Sequence, residues 1–436
     1  MKGVLGGSVS GRKLAGIEHA LRLTDYATPF NAVVVLRIEG NFPVDRLPLA
    51  LDQLQSRHPL LRACIRGEND AFSFYFDNAG PIPVEIDEPR TTDDWLAAAE
   101  EELHRRFDLA AGPLMRCRYR PVPSGGHLIV TIHHIIADGV SAKHLVHELL
   151  SLCAGLAADS AETSKEGRFQ TRAFYPARYS GAGMVAGALA FLARQMADEA
   201  KFRWNARGVR HAPIAEKGRC RVLPIRYPRK LTSALLEASR RERITLNNML
   251  GAAMLAAVGR HLYPSPRAPL RHIVLSDLRP HLRPALSPSE LGCRISMLRF
   301  TVVVEREGSF WELARDVQES TLRAVRSGDR YISDSMSPRM MQMIMDRKAF
   351  RMGTTALSYP GPIDLPSSYG PFAVTGLDAF TNNFPLGPEY SALAHLFRGE
   401  LSCDILYMDS DMDLVKAQQI ALDMQSILEA HASPAR

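Results

Sequence analysis

A strand pattern that runs into an amphipathic helix is the feature that most constrains this fold. Residues 127–133 read as a β-strand, and the helix that follows places its apolar side chains on one face. Those side chains are Leu145, Val146, Leu149, Leu150 and Cys153. Ser141 is the expected N-cap of the helix. The turn between strand and helix contains His133, His134, Asp138 and Gly139, so polar groups with possible chemistry lie at a fixed edge of a sheet.

The same alternation of strands and helices continues along the chain. Strands are predicted at residues 31–39, 222–227, 273–276 and 298–304, together with helices at 246–262, capped by Thr245, and from a capping box at 309–312 to about residue 326. With 436 residues, the chain is too long for one ordinary hydrophobic core. We therefore expect an α/β protein in two lobes: residues 1–165, a basic connection at 166–205, and residues 206–436.

Composition excludes several classes of protein. No run of about 18 apolar residues is present, and the N-terminus lacks the apolar core of a secretion signal, so a cytoplasmic protein is expected. The six cysteines are widely separated, without a CxxC pair, which favours reduced thiols over disulfides or a zinc site.

Positive charge is concentrated between Lys165 and Lys230, where fifteen lysines and arginines face four acidic residues. A solvated linker face explains this pattern as well as a binding surface does. The binding alternatives are a phosphorylated donor such as coenzyme A, an acidic carrier protein, or an anionic membrane. Nucleic acid is disfavoured because no recognition motif accompanies the charge.

The two histidines of the turn cannot share one task. Adjacent side chains on a strand point to opposite faces, so one of His133 and His134 faces a lobe interior and the other can face a cleft. That geometry also argues against a shared metal ion. A histidine in a cleft could act as a general base near neutral pH. The alternative is a buried histidine pair satisfied by the backbone, with Asp138 initiating the helix.

Five blocks of sequence resemble the condensation-domain superfamily of acyltransferases, which includes peptide synthetase condensation domains, polyketide-associated acyltransferases and wax ester synthases. The blocks follow in the family's order: residues 57–62 (RHPLLR), 106–116 (an FDL and GPL.R pattern), 133–139 (HHxxxDG), 245–247 with the Ala-rich helix behind them, and 277–299 (DLRP, LG and LR). The similarity covers nearly the whole chain.

The resemblance implies two lobes, each similar to chloramphenicol acetyltransferase, that meet in a V around a central tunnel. His134 would be the catalytic base in the middle of that tunnel, and His133 would be structural. Asp138 would form a structural ion pair, with Arg279 as its candidate partner. Gly139 would let the backbone approach the substrate.

One departure from the family pattern bears on the bond that is formed. The DFGWG-like loop of peptide synthetase condensation domains is absent, and residues 382–387 occupy about its place without matching it. Residues 355–362 instead resemble a stretch of wax ester synthases, which implies that Ser358 and Gly361 contact substrate; a plain proline turn is the alternative. The departure favours an ester product over an amide.

The sequence thus predicts a free-standing acyltransferase that uses acyl-coenzyme A or a carrier-protein pantetheine thioester as donor. The expected acceptor is an alcohol, or an amine, of a secondary metabolite or lipid. We expect no tightly bound cofactor and no metal ion. The protein is expected to be a monomer. Two alternatives stay open: a non-catalytic relative that binds a carrier protein or partner enzyme, and a free-standing amide-forming enzyme.

Overall fold

The computed structural model describes most of the chain. The described residues are 11–68, 71–76, 79–88, 94–156, 169–207, 209, 214, 217–347 and 351–433. Its strands are β1 Arg12–Lys13, β2 Asn31–Gly40, β3 Cys64–Arg66, β4 Ser73–Tyr75, β5 Val84–Ile86, β6 Met115–Val122, β7 Gly125–His133, β8 Cys220–Tyr227, β9 Arg267–Asp277, β10 Ile295–Glu305, β11 Thr355–Ser358, β12 Phe372–Thr381, β13 Tyr390–Phe397 and β14 Glu400–Met408. Its helices are α1 Ile17–Thr24, α2 Leu47–Arg57, α3 Trp95–His104, α4 Gly139–Cys153, α5 Gly181–Asn205, α6 Arg229–Arg241, α7 Leu246–Leu262, α8 Phe310–Arg326, α9 Asp329–Arg347 and α10 Leu414–Ala432.

The first lobe is built on a five-stranded sheet in the order β12-β2-β7-β6-β5, with the small sheet β1-β4-β3 beside it. Helices cover both faces of its central strands. On β2, Val34 and Leu36 pack into the cluster that contains α2 and α4, whereas Val33 and Val35 pack against α3. Because both faces are covered, β2 reads as a continuous apolar run rather than an alternating one.

The second lobe is built on a six-stranded sheet in the order β10-β9-β11-β13-β14-β8. Its core joins the sheet to α6, α7, α8 and α10. The small residues of α7 let this helix lie close to the sheet and to its neighbours: Gly251 has His272 next to it, and a Cβ at Gly251 would come within 2.8 Å of that ring. The predicted two-lobed α/β architecture is confirmed.

Thr245 and Ser309 show how far local capping signals can be read. The helix predicted at 246–262 is α7, and Thr245 caps it by accepting a hydrogen bond from the Asn248 backbone N–H at 3.3 Å. Ser309 does occupy the N-cap of α8, but its side chain makes no capping hydrogen bond, so the predicted capping box is not formed. The strand predicted at 273–276 is also longer than expected and spans Arg267–Asp277.

Strand β12 does not respect the predicted division of the chain at residue 206. It leaves the second lobe and pairs antiparallel with β2 along the edge of the first sheet, from Phe372 opposite Gly40 to Thr381 opposite Ala32. The segment predicted as a basic connection, residues 166–205, contains the 25-residue helix α5. Its residues 166–168 lie outside the described part of the chain.

Candidate active site

The turn between β7 and α4 carries the site. Strand β7 ends at His133, and Asp138 is the N-cap of α4. Asp138 Oδ1 accepts a hydrogen bond from the Ser141 backbone N–H at 3.0 Å, and Ser141 Oγ accepts one from the Asp138 N–H at 3.2 Å. The prediction of Ser141 as the N-cap was wrong by three positions, because the carboxylate at Asp138 begins the helix and Ser141 completes a reciprocal capping box.

His133 is used entirely for structure. Its ring is fully buried, with Nε2 3.0 Å from Asp25 Oδ1. Nδ1 lies 3.3 Å from the Ile135 backbone N–H and must accept its hydrogen bond, so the proton sits on Nε2 and is donated to the Asp25 carboxylate. Both ring nitrogens therefore have partners inside the lobe, and neither is available to a substrate.

His134 points the other way and lines a cavity between the two lobes. Its backbone N–H donates to the Phe30 carbonyl at 2.9 Å, and the Phe30 ring lies 5.7 Å from the imidazole, centroid to centroid. Burial lowers the pKa of His134, and the backbone carbonyls and Asp138 nearby only partly offset that effect. The imidazole is thus neutral at physiological pH, which is the form that accepts a proton.

The thiol of Cys293, from the second lobe, lies beside His134, with Sγ 3.7 Å from Nδ1. Burial raises the pKa of Cys293 well above its usual value. The thiol therefore stays protonated and is a poor nucleophile. A Cys–His nucleophilic pair does not fit this site.

The carboxylate of Asp138 is hydrogen-bonded to residues of the second lobe. Its Oδ2 accepts hydrogen bonds from Arg279 Nη1 and from the Arg294 backbone N–H, both at 2.8 Å. Burial raises the pKa of Asp138, but the guanidinium and the backbone donors outweigh it, so the net pKa is lowered. The carboxylate is ionised and fully engaged, which leaves it no part in proton transfer.

Arg279 is fully buried, and it ties several segments of the second lobe to Asp138. Nη1 also lies 3.1 Å from Asp277 Oδ1, and Nη2 donates to the carbonyl oxygens of Glu290 at 3.1 Å and Gly292 at 2.8 Å. The Asp138–Arg279 contact that the resemblance implied is therefore present, and it bridges the two lobes directly beside His134.

The cavity around His134 has a volume of about 190 Å³ and a largely apolar wall. Both sheets contribute to it, as do α1, α4 and α9. Ile273, Met297, Met341 and Met352 also line a second cavity of about 40 Å³ that adjoins the first beneath α9. An apolar wall of this kind suits an acyl chain.

Of the two residues predicted to contact substrate, Ser358 lies at the cavity and Gly361 does not. Ser358 lines the cavity, at the end of β11. Gly361 is not among the lining residues; it lies in a turn with φ near +88°, while Pro360 takes the place at the cavity wall. Gly139 also lines the cavity, facing Pro360, and a Cβ there would meet that ring at an ordinary 3.5 Å.

Lys143 is a lining residue that the sequence analysis missed. Its Nζ lies 3.2 Å from the Pro362 carbonyl oxygen, at the rim between the lobes. A signal for it was present, because Gly139, Ala142, Lys143 and Val146 follow the helical spacing i, i+3, i+4, i+7 and all four line the cavity. The loop after β12 was also underestimated: Asn382, Asn383 and Phe384 reach the cavity although they do not match the family pattern.

The polar groups of this loop serve the backbone. Asn382 Nδ2 donates to the carbonyl oxygens of Pro29 at 2.8 Å and Leu103 at 3.1 Å, and Asn383 Nδ2 donates to that of Pro388 at 2.9 Å.

Among the described residues, no cluster of three or more His, Cys, Asp or Glu side chains could hold a metal ion.

Comparison with protein families places residues 20–330 on the model of the condensation domain. The phthiocerol/phthiodiolone dimycocerosyl transferase of Mycobacterium leprae is 26% identical over 299 residues, which is 67% of this chain and 68% of that protein. Tyrocidine synthase 3 of Brevibacillus parabrevis is 34% identical over 127 residues, covering 29% of this chain and 2% of the synthase. The chain thus spans only a small part of the length of such synthases.

Two solved structures share the fold over almost the whole chain. Polyketide synthase associated protein 5 from Mycobacterium tuberculosis superposes with a TM-score of 0.71 at 16% identity, covering 97% of this chain and 99% of that one. A trichothecene 15-O-acetyltransferase from Fusarium sporotrichioides gives a TM-score of 0.76 at 12% identity, covering 96% and 95%.

Proposed function

We propose that this chain, which belongs to the condensation-domain family, is an acyltransferase that moves an acyl group from a thioester to a hydroxyl group. The observation that carries the proposal is the position of His134: a neutral imidazole at the wall of an apolar cavity between the lobes, beside a carboxylate that is already paired. The transferase and the synthase among its relatives support acyl transfer as the general activity.

His134 supplies the base. Its neutral imidazole takes the proton of the acceptor hydroxyl as the oxygen attacks the thioester carbonyl, and a tetrahedral intermediate with one negative oxygen forms. When this intermediate collapses, the carbon–sulfur bond breaks. The imidazolium then returns its proton to the departing thiolate, so the histidine ends neutral and the products are an ester and a free thiol.

The first turn of α4 can stabilise the negative oxygen. Gly139 is the first residue of α4 and lines the cavity next to His134. Backbone N–H groups in the first turn of a helix have no partner within the helix, and the helix dipole adds positive potential there. Asp138 already accepts the Ser141 N–H, so we assign the intermediate's oxygen to the start of this turn at Gly139.

A hydroxyl acceptor fits the charges of the site better than an amine does. An aliphatic amine reaches the enzyme mainly as an ammonium ion and needs an anion or a strong base to bind and lose its proton. Of the ionisable groups that line the cavity, Asp138 is committed to Arg279, burial lowers the pKa of His134, and Lys143 is a cation. This argument agrees with the absence of a DFGWG-like loop.

The donor is a thioester of coenzyme A or of carrier-bound pantetheine. Both share a pantetheine arm and a phosphate, and the cationic Lys143 at the cavity rim offers a contact for an anion. The apolar cavity receives the acyl chain. The chain's own residues carry out the reaction without a bound cofactor in this scheme.

The test is turnover of acyl-coenzyme A and acyl-pantetheine thioesters with a panel of alcohols and amines. His134→Ala should reduce turnover by about 10²–10⁴-fold. His144→Ala is the matched control, since it removes a half-buried imidazole from the same helix without touching the cavity wall, and it should change turnover by no more than about threefold. Unchanged turnover in His134→Ala contradicts the mechanism; carrier binding without any turnover by the wild-type protein favours the non-catalytic alternative.

A further inference from the structure

In helix α5 the polar face packs against the protein and much of the apolar face is exposed, the reverse of an ordinary surface helix. Its polar side chains face the protein: Arg194 pairs with Asp329, and Asp198 accepts hydrogen bonds from the backbone N–H and the hydroxyl of Thr301, each at 2.8 Å. Phe191 is buried against the second lobe, but most of the other large apolar side chains face outward. The exposed ones are Val185, Leu189, Leu192 and Met196, between 43% and 73% exposed.

These four residues form one stripe. Their spacing of four, three and four positions places them on a single face of the helix. Small residues fill the rest of that face: Ala182, Ala186, Ala190, Ala193, Ala197 and Ala200 are all exposed. From Ala182 to Ala200 the charged side chains are held in ion pairs or hydrogen bonds, and the most exposed of them, Arg194 at 37%, pairs with Asp329. An apolar surface therefore extends for about 27 Å along the helix. We call it the α5 stripe.

The inward polar contacts show that the helix is seated with its polar face on the sheet. Lys201 Nζ donates to the Thr301 carbonyl oxygen at 2.9 Å, so Asp198 and Lys201 together satisfy the outer edge of β10. Gln195 Oε1 accepts from Arg299 Nη2 at 3.3 Å. The α5 stripe is therefore the outer face of a helix that the second lobe holds in place, and such a face requires a partner that is apolar.

Charge at the two ends of the helix identifies that partner. All charged residues that are exposed between positions 171 and 207 are basic: Arg172, Arg178, Lys201, Arg203 and Arg207. Trp204 stands among the last three, 68% exposed, with the Arg207 guanidinium 4.4 Å above its ring. An apolar strip flanked by cations and by an amphipathic aromatic ring matches the layering of a bilayer surface.

The inner face of α5 connects the helix to the substrate cavity. Met340, on α9, packs against the cluster that α5 joins and also lines the smaller cavity, together with Arg299, which Gln195 holds. That cavity adjoins the one at His134 through four shared residues. The inner face of α5, opposite the α5 stripe, thus lies next to the methionine-lined end of the substrate cavity. Among the described helices, none is both long enough and apolar enough to cross a bilayer, so a contact in the plane of the surface is what α5 can make.

We infer that the α5 stripe is a docking surface for an anionic lipid bilayer, on which α5 lies parallel to the membrane plane with its leucines among the acyl chains and its terminal arginines at the phosphates. The contact holds the second lobe at the membrane surface, with the methionine-lined end of the cavity on the inner side of α5. It does not depend on which acceptor the enzyme uses.

The experiment is flotation of the full chain with vesicles of phosphatidylcholine alone and of phosphatidylcholine with one third phosphatidylglycerol. The wild-type protein should bind the anionic vesicles, and added salt should weaken binding because exposed charges are screened. A variant with Leu189→Gln and Leu192→Gln should bind at least about tenfold more weakly. Arg172→Gln with Arg207→Gln should remove the preference for anionic vesicles.

The matched control is Val415→Gln with Leu422→Gln, which removes two equally exposed apolar side chains from α10 and should leave binding within about twofold. Turnover plays no part in the readout, so failure of the proposed acyl transfer would not affect it. Three results overturn the inference: no binding of the wild-type protein to either vesicle, equal binding by the leucine variant, or a wild-type dimer in solution that the leucine variant converts to a monomer. The last would assign the stripe to a second copy of the chain.

Discussion

Arg279 Nη1 lies 2.8 Å from Asp138 Oδ2, and this contact joins two residues 141 positions apart, one from each lobe. Both side chains are essentially without solvent exposure. An ion pair in such surroundings contributes modestly to stability as a whole, but the loss of one partner leaves the other charge buried and unbalanced. The motif's aspartate therefore fixes the two lobes to each other.

Replacing Arg279 should damage the fold more than the chemistry. Arg279→Met should lower the free energy of unfolding by about 3–5 kcal/mol, because the Asp138 carboxylate loses its counter-ion. Urea denaturation measures this. Arg315→Met, which removes an exposed arginine paired with Glu242, should cost less than about 1 kcal/mol. A stable Arg279→Met protein that is merely slow would show that the pair serves catalysis instead.

Replacing His133 should separate the roles of the two histidines. His133→Ala leaves Asp25 without its buried donor and should lower the free energy of unfolding by about 1–3 kcal/mol. His134→Ala should cost less stability and more turnover, since its ring faces the cavity. Thermal melts and kcat at a temperature where both variants are folded check the contrast. The reverse order of effects would exchange the assignments.

Asp334 should make stability depend on pH. Burial raises the pKa of Asp334 to about 6, although the Tyr175 hydroxyl and the Ile17 backbone N–H donate to the carboxylate. In the unfolded chain the same group titrates with a pKa of about 3.9. Between these values the folded state holds a proton that the unfolded state lacks, so the free energy of unfolding falls as pH rises from about 4 to about 6.

Asp334→Asn removes that titration. The wild-type protein should lose on the order of 2 kcal/mol more than the variant between pH 4 and pH 7, as measured by denaturation at each pH. Asp346→Asn, an exposed position on the same helix, should keep the wild-type slope. Parallel curves for wild type and Asp334→Asn would mean that folding does not raise the pKa of this carboxyl.

The methionine-lined end of the cavity should determine acyl chain length. Met297→Trp adds bulk where the two cavities adjoin and should reduce kcat/KM for a long-chain thioester at least about tenfold relative to an acetyl thioester. Met343→Trp, on the solvent side of α9, is the control and should leave this ratio unchanged. Equal losses for short and long chains would place the acyl group elsewhere.

Local patterns in the sequence predict the elements whose signal is local. Strand β7, the turn with His133 and His134, and helix α7 with its cap at Thr245 follow from periodicity and capping residues alone. Helix α9 does not, because it buries Arg330, Ser333 and Asp334 and carries Pro338 inside, so apolar periodicity is lost.

Features that depend on contacts between distant segments cannot be predicted from local sequence patterns. Apolar residues on a helix usually face the core, but those of the α5 stripe face outward. The sequence of residues 166–205 therefore predicts a connection and not a packed helix. Helical spacing places Lys143 on the same face of α4 as Gly139, but the pattern does not say that this face meets the second lobe at the cavity. The Asp138–Arg279 contact came from family resemblance and not from the spacing of the residues.

Strand β12 has a consequence for how the protein is made. Leu377, Ala379, Phe380 and Thr381 form part of the wall of the His134 cavity, and the whole strand closes the β2 edge of the first sheet. When the ribosome has synthesised the complete histidine motif, it has therefore not yet synthesised the strand that forms one wall of the His134 cavity. Until residues 372–381 emerge, β2 offers an open edge to other chains, so chaperones that shield strand edges should matter for this protein through most of its translation.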